Sequence, residues 1–322
     1  MTSTRTAHQV TGYLRHAALR ALSGIGVLFG AISLAFVALY VLPGDRVYAV
    51  VGGAEVSLTA DQEAAIREQY GFDQPLWAQY GTYLGRLLTG DLGTSYQRDL
   101  PVVDIIGEQL GPTLQLAGAA ALVTIVLTVA VALLTAKRPI PHRVSSVVEI
   151  FFLSAPGFWI GIVLLTIFSY SLHLLPSVGS DGPATLVLPA LMIGLSTAPA
   201  LIQVFRGALE DALDEPFIIT ARTRGVSEVT VRLRHALRHA LIPLSTLSGF
   251  LIGGLLGGAV IAETLFSRQG IGRVLVTAAN ASDVPLVLGL VLLAATAYVG
   301  VNFIVDLLYP LIDPRIRTEA HA

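Results

Sequence analysis

The chain has 322 residues, 54% of them hydrophobic and only 13% charged, with a mean hydropathy of +0.72. A soluble protein of this size carries roughly 25% charged residues, so the deficit excludes an ordinary water-soluble enzyme and calls for a large area facing lipid. The lack of cysteine excludes disulfides, thiol catalysis and cysteine-bound metal. The net charge of −2 says little about partners, and no nucleic acid is expected among them.

Six uncharged stretches are long enough to cross a bilayer, which takes about 20 apolar residues. They are Leu22–Leu42, Leu114–Ala136, Ile150–Leu172, Leu186–Phe205, Leu241–Ala262 and Val284–Val305. Backbone polar groups in lipid must pair within the protein, so each is expected to be a helix. The first follows a tail of residues 1–21. Its apolar run exceeds the roughly 7–15 residues of a signal peptide and no small-residue cleavage site ends it, so it is read as a retained span, 22–42.

Residues 43–112 form a structured outer loop with ten acidic residues against four arginines. Thr59 is a plausible N-cap for a helix through Tyr70, with Gly71 as its stop. Leu76–Leu88 repeats the pattern, with Trp77, Tyr80, Tyr83, Leu84 and Leu87 on one side. Tryptophan and tyrosine favour the membrane interface, so a helix lying along the outer surface is expected.

Residues 113–317 then hold five spans and an arginine-rich loop, 206–240, before a short tail, 318–322. If both termini are cytoplasmic, 14 of the 20 basic residues fall inside, including six arginines between Arg206 and Arg238. The reverse orientation would put the most basic loop outside. No ionisable residue sits near the middle of a span; Glu149 and Asp306 lie at span ends. Ion-driven carriers usually need such groups, so their absence argues against an ion-coupled secondary carrier. In the fifth span Gly249, Gly253 and Gly257 recur every four residues, with Gly254 and Gly258 as a second row. Such spacing lets helix backbones approach closely, either within the chain or against a second membrane subunit.

The loop has internal order. Asp214 and Glu215 precede Pro216, a helix-start arrangement. Phe217–Arg224 makes about two turns, roughly 12 Å long. Phe217 and Ala221 share one face at i,i+4. Gly225 can take the left-handed conformation that ends a helix, and Ser227 can cap the next. In that second helix Val229, Leu233, Ala236, Leu237 and Ala240 form an apolar stripe. A short helix held crosswise in this way suits insertion into a groove on another protein, with Ala221 allowing close approach; the plainer alternative is a connector packed on its own chain. His235 and His239 are four apart but lack the acidic partner of an HExxH site, so no metal is expected. There is no phosphate loop of the form GxxxxGK[ST] and no inferable nucleophile–base pair. No catalytic residues and no cofactor are expected in this chain.

Thr220-Ala-Arg-Thr-Arg-Gly225, with His235-Ala-Leu-Arg238 and Ala240-Leu-Ile-Pro243, resembles the cytoplasmic coupling loop of binding-protein-dependent ABC importers, in the dipeptide, oligopeptide and nickel permease branch. The resemblance runs along nearly the whole chain. Leu42-Pro-Gly-Asp45, Tyr70-Gly-Phe-Asp-Gln-Pro-Leu76, Gly90-Asp-Leu-Gly-Thr-Ser95, Glu263-Thr-Leu-Phe-Ser267 and Asp313-Pro-Arg-Ile-Arg317 all fit it. The broader loop pattern begins Glu-Ala-Ala. Here Ile219 and Thr220 stand in the first two places, so no role of that glutamate carries over to Ile219.

The resemblance implies an all-α integral membrane protein with six transmembrane helices and the type I ABC importer permease fold. It would sit multi-pass in the bacterial inner membrane and form half of a translocation pore for short peptides. A homologous second permease would supply the other half, with membrane lipid around both. ABC ATPase subunits would grip the loop through Phe217, Ala221, Arg222, Arg224 and Gly225, and an extracellular solute-binding protein would deliver substrate. The outer turn with Arg268, Gln269 and Arg273 would lie near the pore mouth, where these residues are expected to meet that protein. Nickel or another small solute is the alternative cargo. A structural scaffold is the remaining alternative, opposed by the docking loop.

Overall fold

The computed structural model of the chain describes residues 3–41, 46–52, 56–240 and 248–312. The motif residues 42–45, 241–243 and 313–317 lie outside them, as does the C-terminal tail. The described residues are helical apart from turns and one isolated bridge between Thr94 and Pro101. They divide into two compact units: residues 1–111 with 270–300, and residues 112–269 with 301–322.

The first unit begins with α1, Ser3–Val41, whose residues Leu19–Tyr40 are long and apolar enough to span a membrane. Helix therefore starts well inside the expected tail. The short α2 (Arg46–Val50) leads to α3 (Ala60–Tyr70), where Thr59 and Gln62 form a reciprocal capping box. Gly71, at φ 68°, ends α3 in the left-handed conformation. The next helix, α4 (Leu76–Leu88), packs beside α1: Phe36 stacks on Tyr40 and meets the rings of Tyr80 and Tyr83. Trp77 lines the same groove as Tyr80 and is 78% exposed. Two further helices close the unit, α12 (Ile271–Asn280) and most of α13 (Val284–Ile312). Buried Asp283 joins them to residues 95–97, accepting from the Ser95 hydroxyl at 2.5 Å and the Tyr96 amide at 3.1 Å.

Helix α5 runs from Val102 to Thr135, so it starts about three turns inside the expected outer loop and carries Pro112 within it. A membrane-class helix tolerates that proline because other groups re-satisfy the freed carbonyl. The division between the units falls at Gly111 and Pro112.

The second unit centres on α8 (Ala184–Asp214), the most enclosed of the candidate spans. Around it pack α6 (Pro139–Ser154), α7 (Gly157–Leu164, continuing as π-helix through Ser171) and α11 (Ser248–Leu265). Small residues set these distances. A Cβ at Gly194 would lie 2.5 Å from Val123 of α5, one at Gly161 2.7 Å from Met192, and one at Gly258 3.1 Å from Ile193.

The expected third span, Ile150–Leu172, is not one helix. α6 and α7 meet at a bend of 105°. Pro156 disfavours helical backbone at Ala155, which is extended at φ −80° and ψ 130°. Among the described residues four helices meet the length and hydropathy of a span, the bent pair makes a fifth, and Leu251–Leu265 is a shorter apolar helix.

Candidate functional site

The arginine-rich loop lies wholly within the second unit. Helix α9 (Pro216–Thr223) starts at Pro216, with Glu215 in extended backbone before it. It ends in a Schellman motif: the Gly225 amide donates to Arg222 O at 2.9 Å and the Val226 amide to Ala221 O at 3.2 Å. Gly225 has φ 77°, so its lack of Cβ is required here. Val226 packs into the cluster that contains Ala221, the usual hydrophobic partner of this cap. Ser227 then caps α10 (Glu228–Thr230) by accepting from the Thr230 amide, as its position predicted. The winding continues as π-helix over Val231–Ala236.

The inner face of α9 is not the one expected. Ile218 and Ala221, at i,i+3, are buried against Ala212, Leu213, Val231 and Ala236 of the same chain. Phe217 does not join Ala221; its ring rests on His239 with centroids 4.7 Å apart. Ala221 therefore packs α9 onto its own chain. The outward surface is Phe217, Ile219, Thr220, Thr223 and Arg224. Ile219 is 59% exposed, an apolar side chain in the middle of a polar loop. Its exposure could be anticipated only from its place beside buried Ile218.

Three of the six arginines brace the loop. Arg206 is buried and makes a bidentate pair with buried Glu149 of α6, at 2.7 and 2.9 Å. Arg232 donates to the carbonyls of Leu133 and Ala136 at 2.9 and 3.0 Å, closing orphan acceptors at the end of α5. Arg222 clasps Glu228 at 2.6 Å across the Gly225 turn. That hydrogen bond raises the Arg222 guanidinium above its ordinary range and holds the Glu228 carboxyl below its own. Lys137 adds a fourth brace, reaching Asp214 at 2.6 Å. Arg224, Arg234 and Arg238 are left on the surface. The result is a two-turn helix held rigidly by neighbours on both sides, with one face turned outward.

The outer-turn residues are placed less uniformly than expected. In the second unit Arg268 is 1% exposed, donating to Thr185 Oγ1 at 2.8 Å and Gly179 O at 3.3 Å. Burial lowers its guanidinium from the ordinary range. A side chain so enclosed ties its own turn to residues 179–185 and is not displayed as a rim charge. Gln269 beside it is exposed, its amide bound to Ser180 Oγ at 2.8 Å. Arg273, in the first unit, is exposed on α12.

The glycine rows of α11 also separate. A Cβ at Gly254 or Gly258 would press on Thr197 or Ile193 of α8, so this row packs within the chain. A Cβ at Gly253 or Gly257 would meet nothing within 4 Å among the described residues, and both glycines are exposed. The surroundings of Gly249 lie outside the described side chains.

Helices this long and apolar are those of a membrane component. The chain belongs to the binding-protein-dependent transport system inner membrane component family, whose pattern matches residues 125–318. It is similar over 306 residues to proteins named glutathione transport system permease protein GsiC. Identity is 35% with the protein of Escherichia coli O6:H1 (strain CFT073) and of Salmonella typhi, and 34% with that of Escherichia coli (strain K12). In each case the match covers 94% of this chain and 99% of the relative. The chain is thus a multi-pass inner-membrane permease subunit of an ABC importer. It is a pore-forming component without its own ATPase site, serving with ATPase subunits and a solute-binding protein.

Proposed function

We propose that this permease forms half of a translocation pore for short peptides, and that α9 is the element its ATPase subunits grip. The outward face of α9 carries this reading. Phe217 and Ile219 are apolar knobs on a helix that cannot swivel, because Ile218 and Ala221 fasten it from behind. Thr220, Thr223 and Arg224 give that face a polar margin, and Arg222 and Gly225 set its angle. Closure of the ATPases on such a lever moves α8 and α6 with it through Asp214, Arg206 and Glu149.

Peptide cargo is supported by the relatives' printed substrate, since glutathione is itself a small peptide. A second, homologous permease completes the pore, and the open Gly253/Gly257 row offers it a close-approach seam in the membrane. Six spans with both termini cytoplasmic fit the arginine distribution and place the loop on the ATPase side. Gln269 and Arg273 remain the residues for contact with the solute-binding protein. Their role is tested by charge reversal at Arg273, which should slow delivery at low salt. The cargo is tested in vesicles holding the whole complex. ATP-driven accumulation of di- and tripeptides is expected, and uptake of nickel without peptide would overturn this reading.

A further inference from the structure

The first span and α4 do more than touch. Between them runs an open groove of about 250 Å³, floored by Phe36 and Tyr80 and walled by Val37, Tyr40 and Leu76, with Trp77 at the rim. Its polar atoms are spent on one another. Ser33 Oγ donates to Phe29 O at 2.7 Å, so the Tyr80 hydroxyl, 2.6 Å away, donates to Ser33. The Tyr40 hydroxyl donates to Gln79 at 2.7 Å. The groove therefore offers hydrocarbon and aromatic surface with no hydrogen bond for water or a polar ligand.

We infer that this groove seats the acyl chain of a membrane phospholipid. Its wall is continuous with the exposed apolar surface of the first span, which is long and apolar enough to cross a membrane. Val37 is 56% exposed, and Leu34 (74%) and Ile25 (62%) lie further along the same helix. A bilayer around that span would reach the groove through Val37, which belongs to both the exposed surface and the lining. Leu76 at 54% and Trp77 at 78% exposure continue the apolar surface onto α4, and tryptophan suits the level at which chains meet headgroups. The bound chain fills the cleft that packing of α4 on α1 leaves open, and so holds the outer helix against its span. This inference rests on the reading that α4 lies along the membrane surface.

The test uses the full complex in phosphatidylethanolamine–phosphatidylglycerol vesicles doped with a phosphatidylethanolamine carrying a mid-chain diazirine. After photolysis, adducts on Val37, Tyr40, Leu76 and Tyr80 should be several-fold denser than on Leu22 and Ile25. Val37→Phe fills the groove and should cut adducts on Leu76 and Tyr80 several-fold. Leu34→Phe, on the open side of the same helix, should leave them unchanged. Equal adduct density everywhere overturns the inference, as does persistence of the signal in Val37→Phe. So does a groove without adducts, the result if a protein segment covers it. A second readout separates the underlying placement. Trp159→Phe leaves Trp77 as the only tryptophan of this chain, and lipids brominated high on the chain should quench the part of the complex's emission that is lost in a further Trp77→Phe variant. Quenching without groove enrichment overturns the acyl-chain site alone; absence of quenching overturns the membrane placement of α4 and the site with it.

Discussion

Ile219→Ser separates docking from folding in the loop. Full burial of an isoleucine side chain stabilises by about 1.5–3 kcal/mol. Ile219 is 59% exposed, so its covering by an ATPase groove can contribute only that share, about 1–2 kcal/mol. A difference of 1.4 kcal/mol is tenfold in affinity, so the variant should need roughly tenfold more ATPase subunit for half-maximal recovery. Serine and isoleucine have similar helix propensities, and the internal face of α9 is untouched, so yield and thermal stability should stay at wild type. Ala221→Arg is the informative contrast. Ala221 is 8% exposed and packed on its own chain, so the added volume and charge attack the fold before they reach any partner. It should lower the yield of folded protein, where Ile219→Ser lowers only ATPase recovery and ATP-driven uptake. Titrating ATPase subunits against detergent-purified permease, with uptake measured in parallel vesicles, gives both numbers. Wild-type ATPase affinity in Ile219→Ser would refute the assignment of the outward face.

Gly225→Val places a β-branched residue at φ 77° and should cost on the order of 1–3 kcal/mol locally; uptake and ATPase recovery should fall while the permease still inserts. Glu149→Gln leaves Arg206 buried without its countercharge and should destabilise by about 3–5 kcal/mol, read as a lower melting temperature; Glu149→Leu with Arg206→Met should recover much of the loss. The Glu228 carboxyl is held below its ordinary range, so its pairing with Arg222 contributes at neutral pH and is lost as pH falls through that lowered value. At so exposed a site the effect is about 0.2–1 kcal/mol, seen as lower hydrogen-exchange protection factors at Gly225 and Val226 in acid, a pH dependence that Arg222→Gln abolishes. Val229→Cys, at a 67% exposed position in a chain without native cysteine, should react with an impermeant thiol reagent in inside-out vesicles and not in intact cells.

Features that depend on a few neighbouring residues were legible. Thr59 and Gly71 bound α3 as expected, and Gly225 and Ser227 punctuate the loop, because capping is chemistry between residues two to five apart. The bend in the third span was also in plain view at Pro156; hydropathy summed over a window hid it. The orientation of α9 was not legible. Periodicity says that residues share a face but not which face turns inward, and the Ile218–Ala221 pairing competes with Phe217–Ala221 at almost equal angular cost. Arg206 counts in the sequence only as a topological charge and Arg268 only as a contact for another protein, and the interior is not the ordinary place for arginine. Their partners are 57 and about 83–89 positions away in the chain, and no local rule connects them.

The burial of Arg206 changes what the arginine count means. Counted as a topological signal, it adds one charge to the side that holds the loop. Paired with Glu149 on a helix that starts at Pro139 and bends at Pro156, it fixes where α6 meets α8. Arg232 does the same at the end of α5, and Lys137 at the end of α8. Each brace joins a helix end to the segment that carries α9. A soft connector would absorb a push on α9 by deforming. Under the proposed docking this one would pass the push on, because Arg206 is buried and bidentate on Glu149 and Arg232 is bound to the helix-end carbonyls of α5. The basic residues of the loop thus divide by partner: Arg206, Arg222 and Arg232 are tied to carboxylates or carbonyls, and Arg224, Arg234 and Arg238 lie on the surface. The paired ones tie the segment of α9 to its neighbours, and Arg224, left outside with Phe217 and Ile219, belongs to the face proposed above for the ATPase subunits.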